Sequence, residues 1–341
     1  MNDAFSPRER LIRTLGKQPV ERPPVICPGG MMNAAIVDVM NATGHTLPAA
    51  HSDWRLMASL AADVQELTGF ENIGLPFCMT VEAEALGSEI NFGTLECEPK
   101  IEREKFGGVE TVEYLPRGAV ARSPRAGVVI QSVAELSKRY PDIPVIGSVT
   151  GPVSTAASIV DPMTFLKQLR KNRAAAHRVM DYVTDQLTDY ARLLAENGAS
   201  VIAIADPTAT GEILGPRFFD EFAVPYLNRL AEAVHGLGVP VIVHICGDVK
   251  MIKPLLAKLG GDALSVDALV SLKRLKSELD GVTVMGNVST YLLQSGEEDS
   301  VRTAAQRLRA NEIDIIAPAC GLSTSTPLNN IKALTRAVTA E

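Results

Sequence analysis

The sequence predicts an α/β protein of the (β/α)8 TIM-barrel class, and three observations carry that expectation. Apolar, strand-like runs alternate with amphipathic helical stretches through the second half of the chain, the pattern of βαβ units and a parallel sheet. Most of those runs are near-continuous Val, Ile and Ala, as in strands buried on both faces. The 341 residues suit one eight-stranded barrel with insertions, so a single domain over 1–341 is expected.

The strands are expected at 144–149, 201–206, 240–246, 263–267, 282–288 and 313–320, with 24–27 and 72–77 as earlier members. Val179, Val183, Leu187, Tyr190 and Leu194 recur at helical spacing and stop before Gly198, a residue suited to a left-handed cap. Phe218, Phe222, Leu230, Val234 and Leu237 form a second apolar face, kinked at Pro225 and ended by Gly236 or Gly238. Further helices are expected at 31–43 and 53–67. From Glu89 to about Gly127 the chain turns polar, with Gly107, Gly108 and alternating Val109, Thr111 and Tyr114, which predicts a hairpin inserted in the N-terminal half.

Hydrophobic residues at 46% and charged residues at 21% describe a chain with a sizeable core. A net charge of −7 with scattered Lys and Arg argues against nucleic acid, whose binding needs a basic stripe. No apolar run approaches the roughly 20 residues that span a bilayer, and the first thirteen residues do not read as a signal peptide. A cytoplasmic protein with no membrane partner is therefore expected. Five cysteines, an odd number, leave metal binding, catalysis or burial rather than a disulfide framework.

Barrel enzymes gather their sites at the C-terminal ends of the strands. Here those ends carry Asp206, His244, Cys246, Asp267, Asn287 and Cys320. His244 and Cys246 lie two apart on a strand and so share one face. Barrel closure would bring Cys320, at the end of the last expected strand, across the mouth to them. The alternative is two ordinary buried cysteines and a core histidine. An imidazole and two thiolates would hold zinc with its fourth position open, the arrangement of a catalytic rather than a structural site. Such a centre favours alkyl transfer to sulfur, because lowering a thiol pKa by about two units is worth roughly 2.7 kcal/mol of thiolate stabilisation.

At these residues the chain resembles the methylcobalamin:coenzyme M methyltransferases and their bacterial relatives, within the uroporphyrinogen decarboxylase superfamily. The resemblance runs from Arg22-Pro-Pro-Val25 through Gly69-Phe-Glu-Asn-Ile-Gly-Leu-Pro-Phe-Cys-Met-Thr80, Gly147-Ser-Val-Thr-Gly-Pro152 and Ala205-Asp-Pro-Thr208. It ends at His244-Ile-Cys-Gly-Asp248 and Pro318-Ala-Cys-Gly321. It implies a uroporphyrinogen decarboxylase-like barrel in which His244, Cys246 and Cys320 bind Zn2+, an acceptor thiol joins the metal, and a methylated corrinoid on a partner protein donates the methyl group. The arginine-bearing segment of the decarboxylases is replaced here by Cys27-Pro-Gly-Gly-Met-Met-Asn33, and no histidine follows an Asp by two positions as a corrinoid-binding Asp-x-His-x-x-Gly requires. The corrinoid is thus expected on the partner, with Met31, Met32, Phe77 and Met79 offering adaptable contacts at the mouth.

The expected activity is methyl transfer between a corrinoid protein and a thiol, coenzyme M-like, or a folate-type acceptor. Transfer in the opposite direction, uroporphyrinogen decarboxylase-type activity and a non-catalytic corrinoid-carrier scaffold are the alternatives. Asp206 and Glu212, bracketing the loop after the 201–206 strand, are candidates for a displaceable fourth ligand. Asp267 and Asn287 are candidates to orient substrate or the ring of His244. The loops 287–290 and 321–326, with Ser323, are candidates to seat an anionic group of the acceptor, and Thr326 or Ser325 is the expected cap of a last helix beginning at Pro327. His45, His51, His177, His235, Cys27, Cys78 and Cys97 read as structural.

Overall fold

The computed structural model describes residues 4–340. Strand β1 (Ile73–Leu75) is followed by an antiparallel pair, β2 (Glu89–Asn91) and β3 (Lys100–Arg103). Six further strands come after it: β4 (Val145–Thr150), β5 (Val201–Ala205), β6 (Val241–Ile245), β7 (Ala263–Val266), β8 (Thr283–Val288) and β9 (Ile315–Pro318). β1 and β4 to β9 form one parallel sheet in that order. Every residue of β4, β5, β6, β7 and β9 is buried, because helices cover one face and barrel side chains the other.

The eighth place is filled by residues 24–27, which make a single bridge rather than a strand. Ile26 N donates to Ile316 O at 3.0 Å, Ile316 N to Pro24 O at 2.9 Å, and on the other side Glu71 N donates to Val25 O at 2.9 Å. Pro23, Pro24 and Pro28 supply no N–H, so a full ladder cannot form. The Asn72 side chain substitutes for it, accepting from Cys27 N at 2.8 Å and donating to Cys27 O at 2.9 Å. Below this closure Glu71 accepts from both nitrogens of Arg22 at 2.8 Å and pairs with Arg10, a buried ionic cluster that ties the Arg22-Pro-Pro-Val25 segment to the Glu71-bearing one.

The helices follow their caps. Asp53 accepts from Arg55 N at the head of Trp54–Thr68, and Ser123 from Ala126 N at the head of Pro124–Arg139. Arg173–Glu196 gives way to Gly198 at φ 103°. Three expectations need correction. The helix expected over 31–43 spans only Val37–Thr43, because Gly29 and Gly30 take positive φ and Met32 bridges back to Gly29 in a tight turn. The inserted hairpin ends at Arg103; Val109–Thr111 is a single 3-10 turn, and Gly127 lies inside a helix. The kink expected at Pro225 is a π turn, Phe219–Ala223, leading into Val224–His235, where Pro225 sits in the first turn and its missing N–H costs nothing. No helix among the described residues is long and apolar enough to cross a membrane.

Candidate metal centre

β6 stops at Ile245, so His244 is its last inward-facing residue and Cys246 begins the loop beyond it. That loop turns at once through Gly247, whose φ of 69° strains any residue with a side chain. Cys320 likewise lies beyond β9, two residues after Pro318. The turn folds Cys246 Sγ to 3.2 Å from His244 Nε2 and 3.1 Å from Cys320 Sγ. One donor atom from each residue lies within 4.8 Å of the others, a cluster that can hold a metal ion.

Its electrostatics are those of a shared proton. The Cys320 thiol is pulled down to about 5, chiefly by the hydrogen bond from Cys246, against an opposing push from burial and with further help from His244. Cys246 is driven far above the ordinary thiol range by that same bond and by burial, with Asp267 adding to the effect. The two thiols titrate as a pair, and the bond between them makes the first proton easier to lose than an isolated cysteine's.

Sequence reasoning missed the residue that orients the imidazole. His244 and Ser265 are register partners across β6 and β7, and Ser265 Oγ lies 2.9 Å from His244 Nδ1. Ser265 Oγ also lies 4.0 Å from Met32 Sδ, and its hydrogen bond with Nδ1 leaves Nε2 facing the two sulfurs. A buried hydroxyl within the otherwise apolar run Ala263-Leu-Ser-Val266 was the available signal.

The other candidates take different places. Asp206 is wholly buried and accepts from Val153 N at 3.0 Å, Ser154 N at 2.8 Å and Ser154 Oγ at 2.6 Å, capping Pro152–Ile159 from the end of the neighbouring strand. Burial raises its pKa, against the pull of those bonds. Gly151 has no room for a side chain because the Asp206 Cβ would be 2.4 Å away. Glu212 is exposed beside the cluster, 3.5 Å from the amide of Asp248. Asn287 donates to Asp267 O and Val270 O, which pins the loop after β7, and Asp267 accepts from Leu269 N; neither reaches His244. Ser323 shares a hydrogen bond with Ser325. Thr326 caps nothing: Pro327 precedes the last helix, Leu328–Thr339, and Asp38 accepts from Leu328 N at 3.0 Å in the cap's stead. Met32 and Phe77 are buried core rather than rim.

A cleft of about 560 Å³ opens beside Cys320, lined among others by Met31, Met79, Glu98, Tyr291, Gln294 and Ser323. Glu98 was also missed, since it rides on the β2–β3 hairpin rather than on a barrel strand.

An imidazole and two thiols thus converge at the C-terminal mouth of a β/α barrel, where such barrels carry their active sites. The uroporphyrinogen decarboxylase (URO-D) family model matches residues 6–340, and the chain belongs to that family. Among its relatives, the methylcobamide:CoM methyltransferase MtbA of Methanosarcina acetivorans is 32% identical over 330 residues, covering 96% of each protein. The methylcobamide:CoM methyltransferase MtaA of Methanosarcina barkeri is 33% identical over 341 residues, covering 98% of this chain and 97% of the relative. The solved structure of a methyltransferase from Methanosarcina mazei matches with a TM-score of 0.90 at 33% identity, covering 98% of both chains.

Proposed function

We propose that this protein is a zinc-dependent methyltransferase that moves a methyl group from a corrinoid on a partner protein to an acceptor thiol. The observation that carries the reading is the meeting of His244 Nε2, Cys246 Sγ and Cys320 Sγ within 4.8 Å at the strand ends. One imidazole and two thiols are a zinc donor set with a position left open. Tetrahedral zinc with Zn–S bonds of about 2.3 Å places its sulfurs roughly 3.8 Å apart. The observed Sγ to Sγ distance of 3.1 Å therefore needs to open by only a fraction of an ångström.

When bound, the ion supplies the Lewis acidity that keeps an acceptor thiol deprotonated near neutral pH. The chain's own residues do the rest. Two cysteine sulfurs offset the dication's charge, Ser265 holds the imidazole with Nε2 toward them, and the cleft beside Cys320 gives the acceptor a place against the cluster. Met251, Leu269 and Tyr291, on the segments after β6, β7 and β8, are 64%, 75% and 83% exposed, an apolar rim suited to a docking protein. The methylcobamide:CoM methyltransferase relatives, matched over nearly the full chain, support the corrinoid donor and the thiol acceptor.

The test is metal analysis of the wild type and Cys246→Ala, followed by zinc X-ray absorption with and without added thiol. About one zinc per chain, lost in the variant, and an added zinc–sulfur contact with thiol are expected. Full zinc content in Cys246→Ala would overturn the reading.

A further inference from the structure

The cleft beside Cys320 has a charge character that bears on the acceptor. Among the described residues its lining includes no lysine or arginine, and its one ionisable carboxyl is Glu98. Of the neutral groups nearby, Gln294 Nε2 donates to Ser325 Oγ at 3.1 Å and Ser325 Oγ shares a hydrogen with Ser323 Oγ at 2.9 Å, while Thr290 and Tyr291 add hydroxyls to the wall.

Glu98 is a placed group. Its Oε1 accepts from Asn33 Nδ2 at 2.9 Å, and Asn33 is buried and fixed in turn by Ala35 N at 3.2 Å. The hairpin tip that carries it is tied down where Thr324 Oγ1 donates to Glu96 O at 2.6 Å and Thr94 N to Cys97 O at 2.9 Å. Among the described residues only Asn33 donates to its carboxylate. The side chain is exposed to solvent at the wall of the cleft. A carboxylate so placed, without a cation, is completed by a ligand that donates hydrogen bonds.

We propose that the acceptor thiol carries a cationic or neutral hydrogen-bond-donating group on its far end, received by Glu98, and that Glu98 rejects thiols with an anionic tail. The inference rests on the acceptor-thiol reading of the site and sets its specificity apart from the coenzyme M named for the relatives, a thiol whose tail is a sulfonate. An anion brought beside Glu98 meets like charge with no lysine or arginine in the lining, since Arg125, which donates to Cys78 Sγ at 2.9 Å, is already paired with Glu84; that is a repulsive element of the kind that discriminates between ligands.

Three two-carbon thiols separate the outcomes, since they differ only in the tail: 2-aminoethanethiol, 2-mercaptoethanol and 2-mercaptoethanesulfonate. Each is titrated calorimetrically into zinc-loaded wild type and Glu98→Gln, with zinc content and X-ray absorption recorded alongside. The wild type is expected to favour the ammonium over the sulfonate by about 10-fold or more, a preference that shrinks to within about 3-fold in Glu98→Gln at unchanged zinc content. Comparing the ratio between the two proteins removes the intrinsic differences in thiol acidity. Tightest binding of the sulfonate by the wild type, a ratio unmoved by Glu98→Gln, or loss of zinc from that variant would each overturn the proposal. Failure of all three thiols to add a sulfur to the zinc shell would instead sink the acceptor-thiol reading, and the proposal with it.

Discussion

His244 and Ser265 face each other across β6 and β7 as register partners, 2.9 Å apart from Nδ1 to Oγ. The contact is set by backbone pairing, so the ring orientation is built into the sheet itself. Ser265→Ala removes the hydrogen-bond partner of Nδ1 and is expected to weaken zinc binding by about 10- to 100-fold with the fold intact. Competition with a chelator of known affinity measures it; unchanged affinity would leave Ser265 a packing residue.

Asp206 is expected to separate stability from metal binding. Asp206→Ala strands two backbone amides and the Ser154 hydroxyl at the head of Pro152–Ile159. The expected loss is about 2–4 kcal/mol in urea unfolding, with the zinc content of the folded protein preserved. Zinc loss without destabilisation would return Asp206 to the metal's surroundings.

His51 makes stability depend on acid. Burial, with a smaller contribution from the Arg125 charge, depresses its pKa from 6.5 to about 3. Neither ring nitrogen has a hydrogen-bond partner among the described residues. A folded value below the unfolded one means stability present above pH 6.5 and lost as the pH falls from there toward 3. Relative to wild type, His51→Leu is expected to lose less stability on acidification, by up to about 1.4 kcal/mol per pH unit. Urea unfolding at pH 7 and pH 5 provides the comparison, and parallel losses would contradict it.

Removing the metal is expected to expose the cysteine pair to oxidation. Two cysteine sulfurs 3.1 Å apart are poised for a disulfide once an oxidant accepts the two hydrogens. Chelated protein treated with diamide is expected to lose two titratable thiols, a change that zinc prevents and Cys320→Ser abolishes. Equal thiol counts with and without zinc would argue against a shared ion.

Much of this was legible in the residues. Alternating direction along a strand predicted that His244 and Cys246 act together, although the strand ends at Ile245 and the turn at Gly247 completes the approach. Strand-end position alone cannot distinguish a ligand from a cap, so Asp206 read as a site residue while its carboxylate is occupied with a helix terminus. Ser265, Asp38 and Glu98 escaped notice for a common reason: each acts on a partner remote in sequence, through strand register, helix packing or a hairpin tip.

The β2–β3 hairpin pairs only with itself and adds no strand to the barrel sheet. Recognition of the acceptor's tail is therefore housed on an appendage, while the strand ends retain the chemistry. Changes in the tip can retune which molecule is methylated without disturbing the scaffold, making residues 92–99 the natural place to redirect this catalyst toward a different nucleophile.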